Sequence, residues 1–184
     1  MTGYHFVIVN SGGSHADLSD LYSQIPADML DVAHEMGHNF LREGNKEELL
    51  NHKGSLSKRA YDRAMHFYDE NERVIKAKEY IKNGNIQGLI DMMNASRISS
   101  TELLKNMYVN KIEGSPVEAC NLVLEASEGK AGVKINGGGF AGSVISLVPD
   151  AYLDKVTNKA KERYGEHNVH VINIRNVGPD FIKE

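Results

Sequence analysis

Three consecutive glycines, Gly137-Gly138-Gly139, followed by Phe140-Ala141-Gly142, constrain this chain more than any other feature. A run without side chains has nothing to pack inside a helix or strand, and each glycine loses more chain entropy on ordering than any other residue. Its natural place is a tight turn. The flanks agree: residues 132–136 and 143–148 are short, β-branched segments that read as strands on either side of the loop. Residues 137–142 also fit G-x-G-x-x-G, but a dinucleotide fingerprint needs a helix after the loop, whose N-terminus receives the pyrophosphate. Here Val144-Ile145-Ser146-Leu147-Val148 follows as a strand, which excludes that reading. Spacing alone leaves two readings open. One is a glycine-rich hairpin without a ligand; the other is bare backbone placed for close approach to a phosphate or another segment.

The rest of the chain alternates between two periods. His5 to Val9 reads as a buried strand running into the polar cluster Asn10-Ser11-Gly12-Gly13-Ser14-His15, and loops at strand ends commonly line sites. Pro26-Ala27-Asp28 is expected to open a helix reaching about Met36, with Gly37 as its terminator. Residues 47–51 form a short helical turn. Ser57 to Lys82 is the longest helical pattern, carried by Ala60, Ala64, Phe67, Val74, Ala77 and Ile81. Helices are further expected over 86–93, over 99–107, and after Gly114-Ser115-Pro116 to about Glu128. After the glycine loop and its strands come a helix over 151–164 and a last strand over 169–174. The order predicts an α+β fold, a ferredoxin-like βαββαβ sandwich. Its four-stranded antiparallel sheet would carry helices on one face, and an α-helical insertion over about 26–128 would swell the first crossover. No linker divides the chain, so residues 1–184 are read as one domain.

Bulk properties exclude several classes. The chain has 184 residues, 41% hydrophobic and 25% charged, with a net charge of −4. That balance argues against nucleic-acid binding, which favours a basic excess. No apolar run approaches the ~20 residues of a membrane span, and the expected compartment is the cytoplasm. Cys120 is the single cysteine and sits among apolar helical positions, as a small core residue does.

Three further patterns carry possible chemistry. His34-Glu35-Met36-Gly37-His38 spells the zincin pattern, which requires both histidines on one face of a continuous helix. Gly37 interrupts that helix, so two surface histidines is the better reading and no metal ligands are assigned. Tyr22 could stack on a sugar ring or bond a hydroxyl, or be an ordinary half-buried tyrosine. Arg63, His66, Glu70 and Arg73 lie one or two turns apart on the long helix; they are either a buried network or a solvated face, and spacing does not separate these.

Taken together, these segments resemble the C-terminal portion of galactokinases, members of the GHMP small-molecule kinase family. Val7-Ile8-Val9-Asn10-Ser11 with His15 and Tyr22 is similar to the family's strand and following loop. Arg63-Ala64-Met65-His66-Phe67 with Glu70-Asn71-Glu72-Arg73-Val74 is similar to its R-A-x-H-x-x-x-E-N-x-R-V helix. Residues 137–142 are similar to its G-G-G-F-G-G motif. The three occur in the family's order over nearly the whole chain. The resemblance implies transfer of the ATP γ-phosphoryl group to the anomeric hydroxyl of a sugar such as galactose, with Mg as the accompanying ion. It implies that Gly137, Gly138, Gly139, Phe140 and Gly142 buttress the nucleotide phosphates and that Tyr22 contacts the sugar. The triple glycine would then let a neighbouring lobe press against bare main chain.

The family's Glu-His-x-Asp segment and its P-x-G-x-G-L-S-S-S loop do not occur here, and the catalytic aspartate would lie upstream of Met1. The expectation is therefore a C-terminal fragment, inactive alone, whose partner is the N-terminal half of the same protein. Ile25 stands where the family has arginine, Arg97 where it has histidine and Ala141 where it has glycine. These departures leave room for another sugar or small alcohol as substrate, or for a non-catalytic sugar sensor.

Overall fold

The structure is a computed structural model that describes residues 2–12 and 18–174. Strand β1 (Tyr4–Asn10) is followed by α1 (Ser19–Glu35), a 3₁₀ turn at Leu41–Glu43, α2 (Lys46–Asn51), α3 (Lys58–Lys82) and α4 (Ile86–Ser99). A π-helical turn (Ser100–Leu104) then leads to α5 (Pro116–Ala126), β2 (Gly132–Asn136), β3 (Ser143–Pro149), α6 (Asp150–Tyr164) and β4 (Val169–Ile172). The four strands form one sheet in the order β2-β3-β1-β4, with every neighbouring pair antiparallel.

Local chemistry sets the helix starts. The Ser57 hydroxyl accepts from the Ala60 N–H at 3.2 Å and the Asn85 side chain from Gly88 at 2.9 Å, each satisfying one of the orphan donors of a first turn. Ser115 caps α5, with Pro116 at the first helical position, where its missing N–H is not needed. The expected start at Pro26 is corrected: α1 begins seven residues earlier, at Ser19, and Pro26 lies inside it. An interior proline costs about 3 kcal/mol. Tertiary contacts offset this, because Tyr22 is anchored to the glycine loop and the Gln24 carbonyl accepts from Arg63 at 3.0 Å. The expected end of α4 at Met93 is corrected too. The helix continues because Asn94, which could have terminated it, spends its amide on β2: Nδ2 donates to the Ala131 carbonyl and Oδ1 accepts from the Val133 N–H, both at 3.1 Å.

Helices cover both faces of the sheet, not one as the sequence suggested. Alternation along the strands decides this, since neighbouring side chains point to opposite faces. Val7, Val9, Val133, Ile135, Val144 and Val148 pack with Ala119, Cys120 and Val123 of α5 and with Val156 and Ala160 of α6. Leu147 turns to the other face, where Leu89, Ile90 and Met93 of α4 meet it beside Tyr4 and Phe6. A third cluster, with Val32 and Ala33 of α1, Leu49 of α2 and Ala60, Ala64 and Tyr68 of α3, stands away from the sheet.

Candidate functional site

Among the described residues, the loop between β2 and β3 combines three positive-φ glycines with a left-handed Phe140. Gly137, Gly139 and Gly142 have φ of 103°, 93° and 95°, and Phe140 takes a left-handed φ of 61°. A left-handed non-glycine residue costs roughly 1–2 kcal/mol, so surrounding contacts must hold it. At the loop's mouth, Asn136 Nδ2 donates to Ser143 Oγ at 3.1 Å. The Ser11 N–H and Oγ–H both donate to the Gly142 carbonyl, at 2.9 and 2.7 Å, tying the end of β1 to the end of the loop.

Tyr22 reaches the same loop from α1. Its hydroxyl donates to the Gly139 carbonyl at 2.6 Å, and its ring meets Phe140 edge-on, with centroids 5.1 Å apart. Burial pushes the Tyr22 phenol above its usual range, so the hydroxyl stays a donor at neutral pH. From the opposite side comes Asn106, in the segment after the π-helical turn. Its main-chain carbonyl accepts from the Phe140 N–H, and its side-chain Nδ2 donates to the Gly138 carbonyl at 3.0 Å.

The structure therefore brings Gly137, Gly138, Gly139, Phe140, Gly142 and Tyr22 into one cluster. His15 lies outside the described residues. One expectation needs correction. The lack of a side chain at Gly139 is required by this chain itself, because a methyl there would stand 2.8 Å from Asn106 Cγ and run into the Asn106 carbonyl. A methyl on Gly138 would lie 3.0 Å from the Tyr22 ring. The open part of the loop is Gly137 and Gly138, both exposed, and a methyl on Gly137 would meet nothing within 4 Å. Asn106 was not legible as a partner: it is one polar residue in a mixed segment, and only the fold carries it to a loop 32 residues away.

The charged residues of α3 form packing bonds to other helices. Arg63 is buried and donates to Asp28 of α1 at 2.7 Å, and Arg59 makes a second, two-pronged contact to the same carboxylate. Burial alone would push Asp28 up, but the two guanidinium groups outweigh it and hold the carboxyl below its usual range. Glu70 accepts from Ser96 of α4 at 2.6 Å and from Arg73 at 2.7 Å. Against the same burial effect, these donors keep the Glu70 carboxyl low as well. His66 Nδ1 lies 2.8 Å from Ser99 Oγ, and burial lowers its basicity.

The zincin-like pattern comes apart in space. Gly37 has φ of 80° just after α1, and His38, beyond the helix, places Nε2 2.8 Å from Glu48 of α2. His34 remains on the exposed side of α1. Cys120 is buried, and loss of solvent pushes its thiol up to about 12, which leaves it no nucleophile at neutral pH. Among the described residues no helix is long and apolar enough to cross a membrane.

No family model matches the chain. Two comparisons place it nonetheless. It is 32% identical over 169 residues to the galactokinase of Thermotoga petrophila, covering 91% of this chain and 45% of that protein. It is 28% identical over 171 residues to the galactokinase of Clostridium acetobutylicum, covering 90% of this chain and 42% of the relative. Among solved structures, Lactococcus lactis galactokinase complexed with galactose shares the fold at a TM-score of 0.75 and 22% identity. L. major mevalonate kinase in complex with R-mevalonate does so at 0.52 and 15%. The chain spans under half the length of the curated relatives it matches, and the match falls in their C-terminal half.

Proposed function

We propose that this galactokinase-like chain is the C-terminal half of an ATP-dependent sugar kinase. The whole protein would move the γ-phosphoryl group of ATP to the anomeric hydroxyl of a sugar such as galactose. The observation that carries the reading is the convergence of Tyr22, Phe140 and the four glycines of residues 137–142 on one small cluster. The strand order β2-β3-β1-β4 supports a ferredoxin-like sandwich, with the helices between β1 and β2 as an insertion into its first crossover.

Phosphoryl transfer depends chiefly on positioning and on neutralising charge; ATP would supply the transferred group and Mg²⁺ would offset its phosphate charge. The residues present fit one edge of such a site. Exposed, Cβ-free backbone at Gly137 and Gly138 can approach phosphate oxygens more closely than any substituted residue. Phe140 and Gly142 keep the loop in shape, and Tyr22, bonded to Gly139, would touch the sugar beside it. Among the described residues no three acidic, histidine or cysteine side chains converge, so the metal's ligands would come from the phosphates and the upstream half. The same half would bring the catalytic carboxylate, and the cytoplasm is the expected setting.

The test compares the 184-residue chain with the chain extended by the upstream coding sequence of its own locus. Galactose-dependent ADP release is expected from the extended protein and not from the chain alone. ATP and sugar binding without ADP release would replace the kinase by a sugar sensor. Turnover only with another sugar or a small alcohol would keep the kinase and change its substrate.

A further inference from the structure

Asn106 has the properties of a built-in brace. It is 3% exposed, and it holds the loop at two points one residue apart on either side of Gly139. A carbonyl oxygen only accepts, so the amide nitrogen must be the atom that faces Gly138, and this fixes the side chain's orientation. The segment that presents it is itself strained: Lys105, just before it, takes a left-handed φ of 58°. The Asn106 N–H returns to the Ser100 carbonyl at 3.3 Å across the π-helical turn. One left-handed non-glycine residue, Lys105, thus directly precedes Asn106, and another, Phe140, is its partner across the contact. Such strain persists only where neighbours over-determine the backbone, and it clusters where position matters. The Asn106 Oδ1 atom, moreover, is buried without a hydrogen-bond partner.

We propose that Asn106 is a positioning residue for the nucleotide: by gripping Gly138 and Phe140 it sets the exposed Gly137–Gly138 backbone toward the ATP phosphates. The proposal rests on the kinase reading above and adds a residue that neither the glycine motif nor the sugar contact includes. Substitution of the side chain removes the bond to Gly138 and lets that peptide plane rotate, while the main-chain bond from Phe140 remains. Apparent affinity for ATP should then fall while sugar binding, on the Tyr22 side, stays as it was.

Two measurements test this with Asn106→Ala and with the isosteric Asn106→Asp, whose ionised carboxylate cannot donate to Gly138. In the 184-residue chain, amide hydrogen exchange over 137–142 should quicken about tenfold in both variants, the loss of roughly one hydrogen bond, while the β1–β3 ladder keeps its protection. In the extended protein, KM for ATP should rise by a similar factor, about tenfold, with KM for the sugar within about twofold. Unchanged loop exchange, an unchanged KM for ATP, or an equal rise in both KM values overturns the proposal. So does global loss of the fold in both variants, which would make Asn106 a stability residue only. A silent unmodified extended protein counts against the kinase reading, and the exchange arm still decides whether Asn106 holds the loop.

Discussion

The layer between α5, α6 and the sheet and the layer between α1 and α3 are held by different forces. The first is apolar: Val7, Val9, Val123, Val133, Val144, Val148 and Val156 are all fully buried. Its ion pairs, Arg163 with Glu118 and Lys159 with Glu125, stay at the exposed rim. The second mixes a small cluster around Leu49 with buried charge, Asp28 facing Arg63 and Arg59. Apolar packing tolerates any partner of suitable shape, whereas a buried ion pair tolerates only its complement. The glycine loop is reached from both layers' edges, by Ser11 at the end of β1 and by Tyr22 of α1. The site is therefore bound to one region that is insensitive to charge and one that depends on it.

The sharpest way to break this contrast is Asp28→Ala. It leaves Arg63 buried without its carboxylate and should lower stability by about 3–5 kcal/mol in urea denaturation. Replacing both partners with apolar residues of similar volume should be nearly neutral, and a large loss there would remove the distinction. Next comes Leu147→Ala on the α4 face of the sheet, expected to cost about 3 kcal/mol through lost burial and the cavity left behind. Its loss should be independent of pH, unlike that of Asp28→Ala.

Acidification separates the layers without mutation. His66 is held neutral, so its contribution is complete above the ordinary histidine value of about 6.5. That contribution declines as pH falls below this value, because the unfolded chain takes up the proton first. Asp28 and Glu70 sit below the usual carboxylate range, so their contribution is present above about pH 4 and is lost as pH falls through their folded values. Hydrogen exchange should show α3 loosening first as pH falls below about 6.5, and α1 and α3 parting before the α5–sheet–α6 layer as pH falls on below about 4. Simultaneous loosening would mean that the layers open as one unit. The smallest expected effect is that of Tyr22→Phe, which removes the 2.6 Å bond to Gly139 and should cost about 1 kcal/mol. Faster exchange confined to residues 137–142 would mark it as local to the loop.

Much of the architecture was legible because it repeats. The periods of residues 58–82 and 151–164 and the alternation in residues 132–136 and 143–148 each sum many weak local preferences. Capping chemistry at Ser57 and Ser115 and the break at Gly37 added sharp punctuation. The misreadings share a cause. Pro26 and Asn94 look like boundaries locally, but each lies inside a helix whose tertiary contacts outweigh the local penalty. For Arg63 and Glu70, spacing along α3 left a buried network and a solvated face open; the structure gives Arg63 its carboxylate on α1, and Glu70 a donor on α4 beside its in-helix partner Arg73.

By itself, the amino-acid order determined the elements and the identity of the glycine loop, since both depend on neighbours a few residues apart. Tertiary structure alone decided that α4 covers the second face of the sheet, that Arg63 faces Asp28, and that Tyr22 and Asn106 close on the loop from opposite sides. These contacts join residues 32 to 117 positions apart. A chain's local propensities carry no record of such pairings, because chain closure and the packing of whole layers choose them together.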